Sequence, residues 1–112
     1  MKRISFLVFT LLILLESIHA QERDHFLLFT DSVVTSDGLK LATDIYITNK
    51  SETFPSLLIR TPYNKVNAKN TALHFLKQGY VVIVQDCRGK FGSEGEFYAF
   101  KNEREDGLKT VE

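Results

Sequence analysis

The chain has a single cysteine, Cys87, and a formal net charge of +0. One cysteine excludes an internal disulfide, and no cysteine–histidine pair stands at metal-ligand spacing. A neutral balance over 112 residues excludes a basic nucleic-acid arm, and 44% hydrophobic content excludes a disordered tail. Long apolar runs are also missing. Residues 4–15 form an uncharged, mostly apolar stretch, but spanning a bilayer comfortably takes roughly 17–25 residues. Signature loops are missing as well. Phe91-Gly92-Ser93-Glu94-Gly95 comes near a G-x-S-x-G nucleophile elbow, yet Phe91 stands where the first glycine is needed. Gly89, Gly92 and Gly95 do not form G-x-G-x-x-G, and no Gly-Lys-Ser/Thr closes a phosphate loop. Neither a cofactor nor a metal is expected.

What is present begins with an export layout. Lys2 and Arg3 precede the apolar run, and a polar segment ending Ile18-His19-Ala20 precedes Gln21. This pattern predicts a signal peptide over 1–20, with an uncleaved anchor as the alternative because Ile18 is bulky. The remaining chain, 21–112, stays close to neutral and offers no patch for an anionic membrane.

The organising stretch is 79–96, GYVVIVQDCRGKFGSEGE. Its apolar start without alternation predicts a strand buried on both faces. The glycine-rich, charged continuation predicts a loop leaving that strand's carboxyl end, where open α/β sheets bind ligands. Upstream, residues 21–29 are poorly defined, with Phe26 to Phe29 free to dock elsewhere. Asp37-Gly38 between β-type runs predicts a hairpin. The return strand, 39–47, alternates and is expected to be half-buried, with Leu41, Thr43, Ile45 and Ile47 on one face. Asn49-Lys50-Ser51 matches a glycosylation acceptor in a eukaryotic secretory pathway.

Residues 56–59 predict a second buried strand, ended by a stiff turn around Pro62. A helix is expected over 71–78, capped near Asn70, with Ala72, Leu73, Phe75 and Leu76 as its apolar stripe and Gly79 as its stop. Another helix starts at Asn102, with Glu103, Glu105 and Asp106 favoured by the dipole of its first turn. It carries no stop signal, which points to the amino-terminal part of a longer protein. An independent secreted binding module fits less well, because its strands would keep open edges.

Five residues invite chemistry. Cys87 reads either as space-filling at a strand end or as a nucleophile. His74 falls on the polar side of its helix, as surface residue or base. Asp86 and Arg88 read as a structural pair across the loop or as catalytic groups. Tyr63 reads as an ordinary packed tyrosine or as a donor to a developing oxyanion.

Five motifs in order carry a resemblance. They are Asp37-Gly38-x-x-Leu41-Ala42-x-Asp44, Arg60-Thr61-Pro62-Tyr63-Asn64-Lys65, Gly79-Tyr80 through Gln85-Asp86-x-Arg88-Gly89, Ser93-x-Gly95-Glu96-Phe97, and Glu105-Asp106-Gly107. Together they resemble the amino-terminal part of the cocaine esterase/NonD hydrolases, which are related to X-Pro dipeptidyl-peptidases and α-amino acid ester hydrolases. The resemblance implies an α/β-hydrolase fold whose Ser-Asp-His triad acts on a small ester, an amide or a short peptide. It implies that Tyr63 supplies one oxyanion-hole donor and that Asp86 and Arg88 are scaffold. The triad itself is expected beyond residue 112; the alternative is a catalytically inert truncated product that lacks the Ser-Asp-His triad. No nucleic-acid partner is implied, and nothing fixes an oligomeric state.

Overall fold

In the computed structural model the described residues are 25–48 and 53–112. The expected signal peptide and the Asn49 acceptor lie outside them. Among the described residues no helix is long and apolar enough to cross a membrane.

Four strands form one mixed sheet: β1 (Phe26–Val34), β2 (Lys40–Thr48), β3 (Ser56–Thr61) and β4 (Val81–Asp86). Their spatial order is β1-β2-β4-β3, antiparallel except for the parallel β3–β4 pair. A 3₁₀ turn (Lys65–Ala68) and helix α1 (Lys69–Lys77) connect β3 to β4. Helix α2 (Glu103–Val111) follows the glycine-rich loop.

The Asp37-Gly38 hairpin forms as expected, with Gly38 at φ +87°. Its first strand is longer than the residues suggested. Phe26 to Phe29 are not loosely docked but make up the first half of β1, paired with residues 45–48 of β2. Consecutive apolar residues carry no alternation, so periodicity could not reveal a strand whose register is set by its partner.

β2 also departs from expectation. It is not half-buried: Leu41 and Thr43 are buried on one face, and Asp44 and Tyr46 on the other. Tyr46 packs under the helix that follows β3, while Thr43 joins Gln85, which bonds Thr110 of the last helix on the opposite face. Tyr46, Val82 and Val84 form the core face under Ala72 and Leu76 of α1. Phe26, Ile59, Leu73, Phe75 and Tyr80 close the edges of this core.

Gly79 stops α1 as expected, at φ +93°, and its N–H returns to the Leu76 carbonyl. The start of α1 is a correction. No side chain caps it at Asn70; Asn64 instead caps the 3₁₀ turn that feeds the helix. Asn102 holds the cap position of α2 but makes no side-chain cap bond.

Candidate active site

The carboxyl ends of β3 and β4 lie side by side, since Thr61 pairs with Asp86 and the Cys87 N–H donates to the Thr61 carbonyl. Each strand end then turns sharply. After β3, the Tyr63 N–H donates to Thr61 Oγ1 (3.0 Å) and Asn67 Nδ2 donates to the Tyr63 carbonyl (2.9 Å). The backbone of Tyr63 is thus held from both sides while its side chain is left out, and the residue is 77% exposed. Its hydroxyl makes no hydrogen bond with the described residues.

Tyr63 borders an open-sided cavity of about 540 Å³. Pro62, Phe97, Ala99 and Phe100 form its apolar walls, with Cys87, Arg60, Lys90 and Glu103 as the polar lining. The Lys90 ammonium lies 4.7 Å from the Phe97 ring centroid. Phe100 stands at the rim, 93% exposed and with φ +65°.

Asp86 ties the two turns together. Its carboxylate accepts from the Lys65 N–H (2.7 Å) and the Gly92 N–H (3.2 Å). Lys65 adds a second tie, its ammonium 2.9 Å from Asp44 Oδ1. The expected Asp86–Arg88 pair is not formed. Arg88 turns instead to Asp37 in the hairpin and Asp106 in α2. Two carboxylates on separate elements offer the planar guanidinium more bonds than its neighbour does. The hydrogen bond from Arg88 holds the Asp37 carboxyl well below the usual carboxylate range, assisted by the Thr35 hydroxyl. Asp106, and then Asp37, push Arg88 the other way, further into its charged form. Both residues keep the scaffold reading, with different partners.

The near-miss glycine motif resolves in the same way. Ser93 is buried; its hydroxyl donates to the Asp86 carbonyl (2.7 Å) and accepts from the Ala42 N–H (2.9 Å). It latches the loop to β2 and presents no free nucleophile. Gly89, at φ +72°, lies so close to the Glu96–Phe97 backbone that a Cβ would overlap it. Cys87 is 3% exposed, and burial together with the Glu103 carboxylate pushes its thiol up to about 11. That supports the space-filling reading, because the thiolate is the nucleophile. His74 is exposed on α1 and pairs with Gln78 (2.8 Å).

Sequence reasoning singled out Tyr63 but not the residues around it. Arg60, Lys90, Phe97, Phe100 and Glu103 were not singled out as a group. The available signal was position, since Arg60 lies near the carboxyl end of β3, Lys90, Phe97 and Phe100 follow β4, and Glu103 opens α2, all at the ligand edge of the sheet. Among the described residues, no cluster of three or more His, Cys, Asp or Glu side chains could hold a metal ion.

A mixed sheet ordered β1-β2-β4-β3, with helices on it and a cavity at the strand ends, defines the amino-terminal part of an α/β-hydrolase-type domain. The profile of the X-Pro dipeptidyl-peptidase (S15) family matches residues 37–112, and the chain belongs to that family. It is similar to cocaine esterase of Rhodococcus sp. (strain MB1 Bresler), 37% identical over 81 residues, which cover 67% of this chain and 14% of the esterase. Among solved structures it is similar to a CocE/NonD family hydrolase of Staphylococcus aureus, at TM-score 0.67 and 25% identity, covering 78% of this chain and 20% of that one. An α-amino acid ester hydrolase shares the fold at TM-score 0.70 and 23% identity, covering 79% and 18%. The chain therefore spans less than a fifth of the esterase's length.

Proposed function

We propose that this chain is the amino-terminal part of an exported serine hydrolase that cleaves esters or amides through an acyl-enzyme. The carrying observation is Tyr63: an exposed phenol without a hydrogen-bond partner among the described residues, beside a cavity at the carboxyl ends of two parallel strands. In this reading a serine oxygen attacks the substrate carbonyl while a histidine takes its proton and an aspartate orients the histidine. Negative charge develops on the carbonyl oxygen. The Tyr63 hydroxyl donates to that oxygen, and a backbone N–H after the nucleophile donates a second bond. Collapse expels the alcohol or amine, and water then releases the acid. Export rests on the layout of residues 1–20.

Topology supports a nucleophile close to Tyr63. Val82 and Val84 face α1, whereas Gln85 faces α2 through Thr110, so the two helices cover opposite faces. Parallel crossovers are right-handed. A strand reached from β4 by way of α2 would therefore fall beside β3, the strand that Tyr63 follows. Replacing Tyr63 with Phe in the full-length hydrolase is expected to lower kcat by about 10²–10³ and leave KM nearly unchanged. Full activity in that variant refutes the role. The 1–112 polypeptide alone should not turn over a chromogenic ester.

A further inference from the structure

The residue after Tyr63 has a strained backbone. Asn64 sits at φ +80° and ψ 117°, away from the left-handed well near φ +57°, ψ +47°. Glycine is the usual occupant of such positions, and Asn tolerates positive φ better than most residues. Here Asn64 also contributes its side chain. Its Oδ1 accepts from the Val66 N–H (3.1 Å) and so closes the 3₁₀ turn. The neighbouring Lys65 N–H is fixed to Asp86, which is 1% exposed. Strain at one residue, maintained by bonds on both sides, is the arrangement found where a side chain must be aimed. The reversal at Asn64 carries the chain into the 3₁₀ turn and leaves the Tyr63 ring against the cavity.

We infer that Asn64 is a positioning residue that holds the Tyr63 phenol in line with the oxyanion. The inference rests on the reading of Tyr63 as the donor. It is tested in the full-length hydrolase with a double-mutant cycle on a chromogenic ester. Asn64→Ala deletes the acceptor and disfavours the positive φ. It is expected to lower kcat by about tenfold or more, with KM changed less than about threefold, because an oxyanion bond acts only in the transition state. Asn64→Asp keeps both properties and should restore most of the rate. In a Tyr63→Phe background, Asn64→Ala should cost less than about twofold, since both changes remove one bond. If Asn64→Ala does not fold, Asn64→Gly, which deletes only the acceptor, takes its place in the cycle. Loss of activity in Tyr63→Phe with no loss in Asn64→Ala overturns this inference alone. An equal cost of Asn64→Ala in both backgrounds also overturns it, as that marks a merely structural role. Full activity in Tyr63→Phe overturns the reading beneath it as well.

Discussion

Single residues divide into those that hold and those free to act. Asp44, Lys65, Gln85, Asp86, Arg88 and Ser93 all carry internal hydrogen bonds or ion pairs. The Tyr63 side chain makes none with the described residues, and the proposed reading takes that contrast as the mark of the group free to act. Cys87 offers a direct check of the environment at the strand end. Its thiol is buried and held up to about 11, so iodoacetamide should label it slowly at pH 8. Labelling should quicken as pH rises toward 11 and jump on unfolding in urea. Rapid labelling of the native protein at pH 8 would contradict the burial described. At this scale the sequence was informative about residue type and poor about partners. Asp86 and Arg88 were visible as structural groups. Their actual partners, Lys65, Gly92, Asp37 and Asp106, lie on other elements and carry no local signal.

Elements differ in what fastens them. Helix α1 rests on apolar contacts from Ala72 and Leu76, and its stripe was legible from periodicity. Helix α2 is different: its buried residue is Asp106, while Leu108 and Val111 stay exposed. Ion pairs and hydrogen bonds hold it, from Arg60 to Glu103 and from Arg88 to Asp106, with Thr110 bonded to Gln85. Arg60 also keeps one buried nitrogen, Nη2, without a hydrogen bond among the described residues, 3.9 Å from Asp106 Oδ2. Replacing Arg88 with Met would leave the Asp106 carboxylate, 1% exposed, with only that distant cation. The expected cost is about 3–5 kcal/mol, read from urea unfolding of the full-length protein. Converting both residues, Arg88→Met with Asp106→Leu, should recover most of it. Additive losses in the double variant would show that the pair is not what fastens α2. The same chemistry explains why the elements were unequally legible. A helix docked by charge has no apolar stripe, and β1 is a strand only because β2 pairs with it.

At the scale of the molecule, the polar network joins the hairpin, the two strand ends and α2 around one cavity. Arg88 spans the hairpin and α2; Asp86 spans the turns after β3 and β4. The five motifs spread over the chain meet in this network, which is why their order in sequence identified the fold. The cavity was not legible, because its walls come from a loop whose path depends on those same ties. The central claim is that the phenol of Tyr63 faces the oxygen on which charge develops. A crystal structure of the full-length hydrolase carrying a covalent phosphonate on the proposed nucleophilic serine tests it most directly. The account predicts the Tyr63 hydroxyl at about 2.7–3.1 Å from the phosphonyl oxygen. A phosphonyl oxygen held by other donors, with the tyrosine ring turned away from it, would contradict the account.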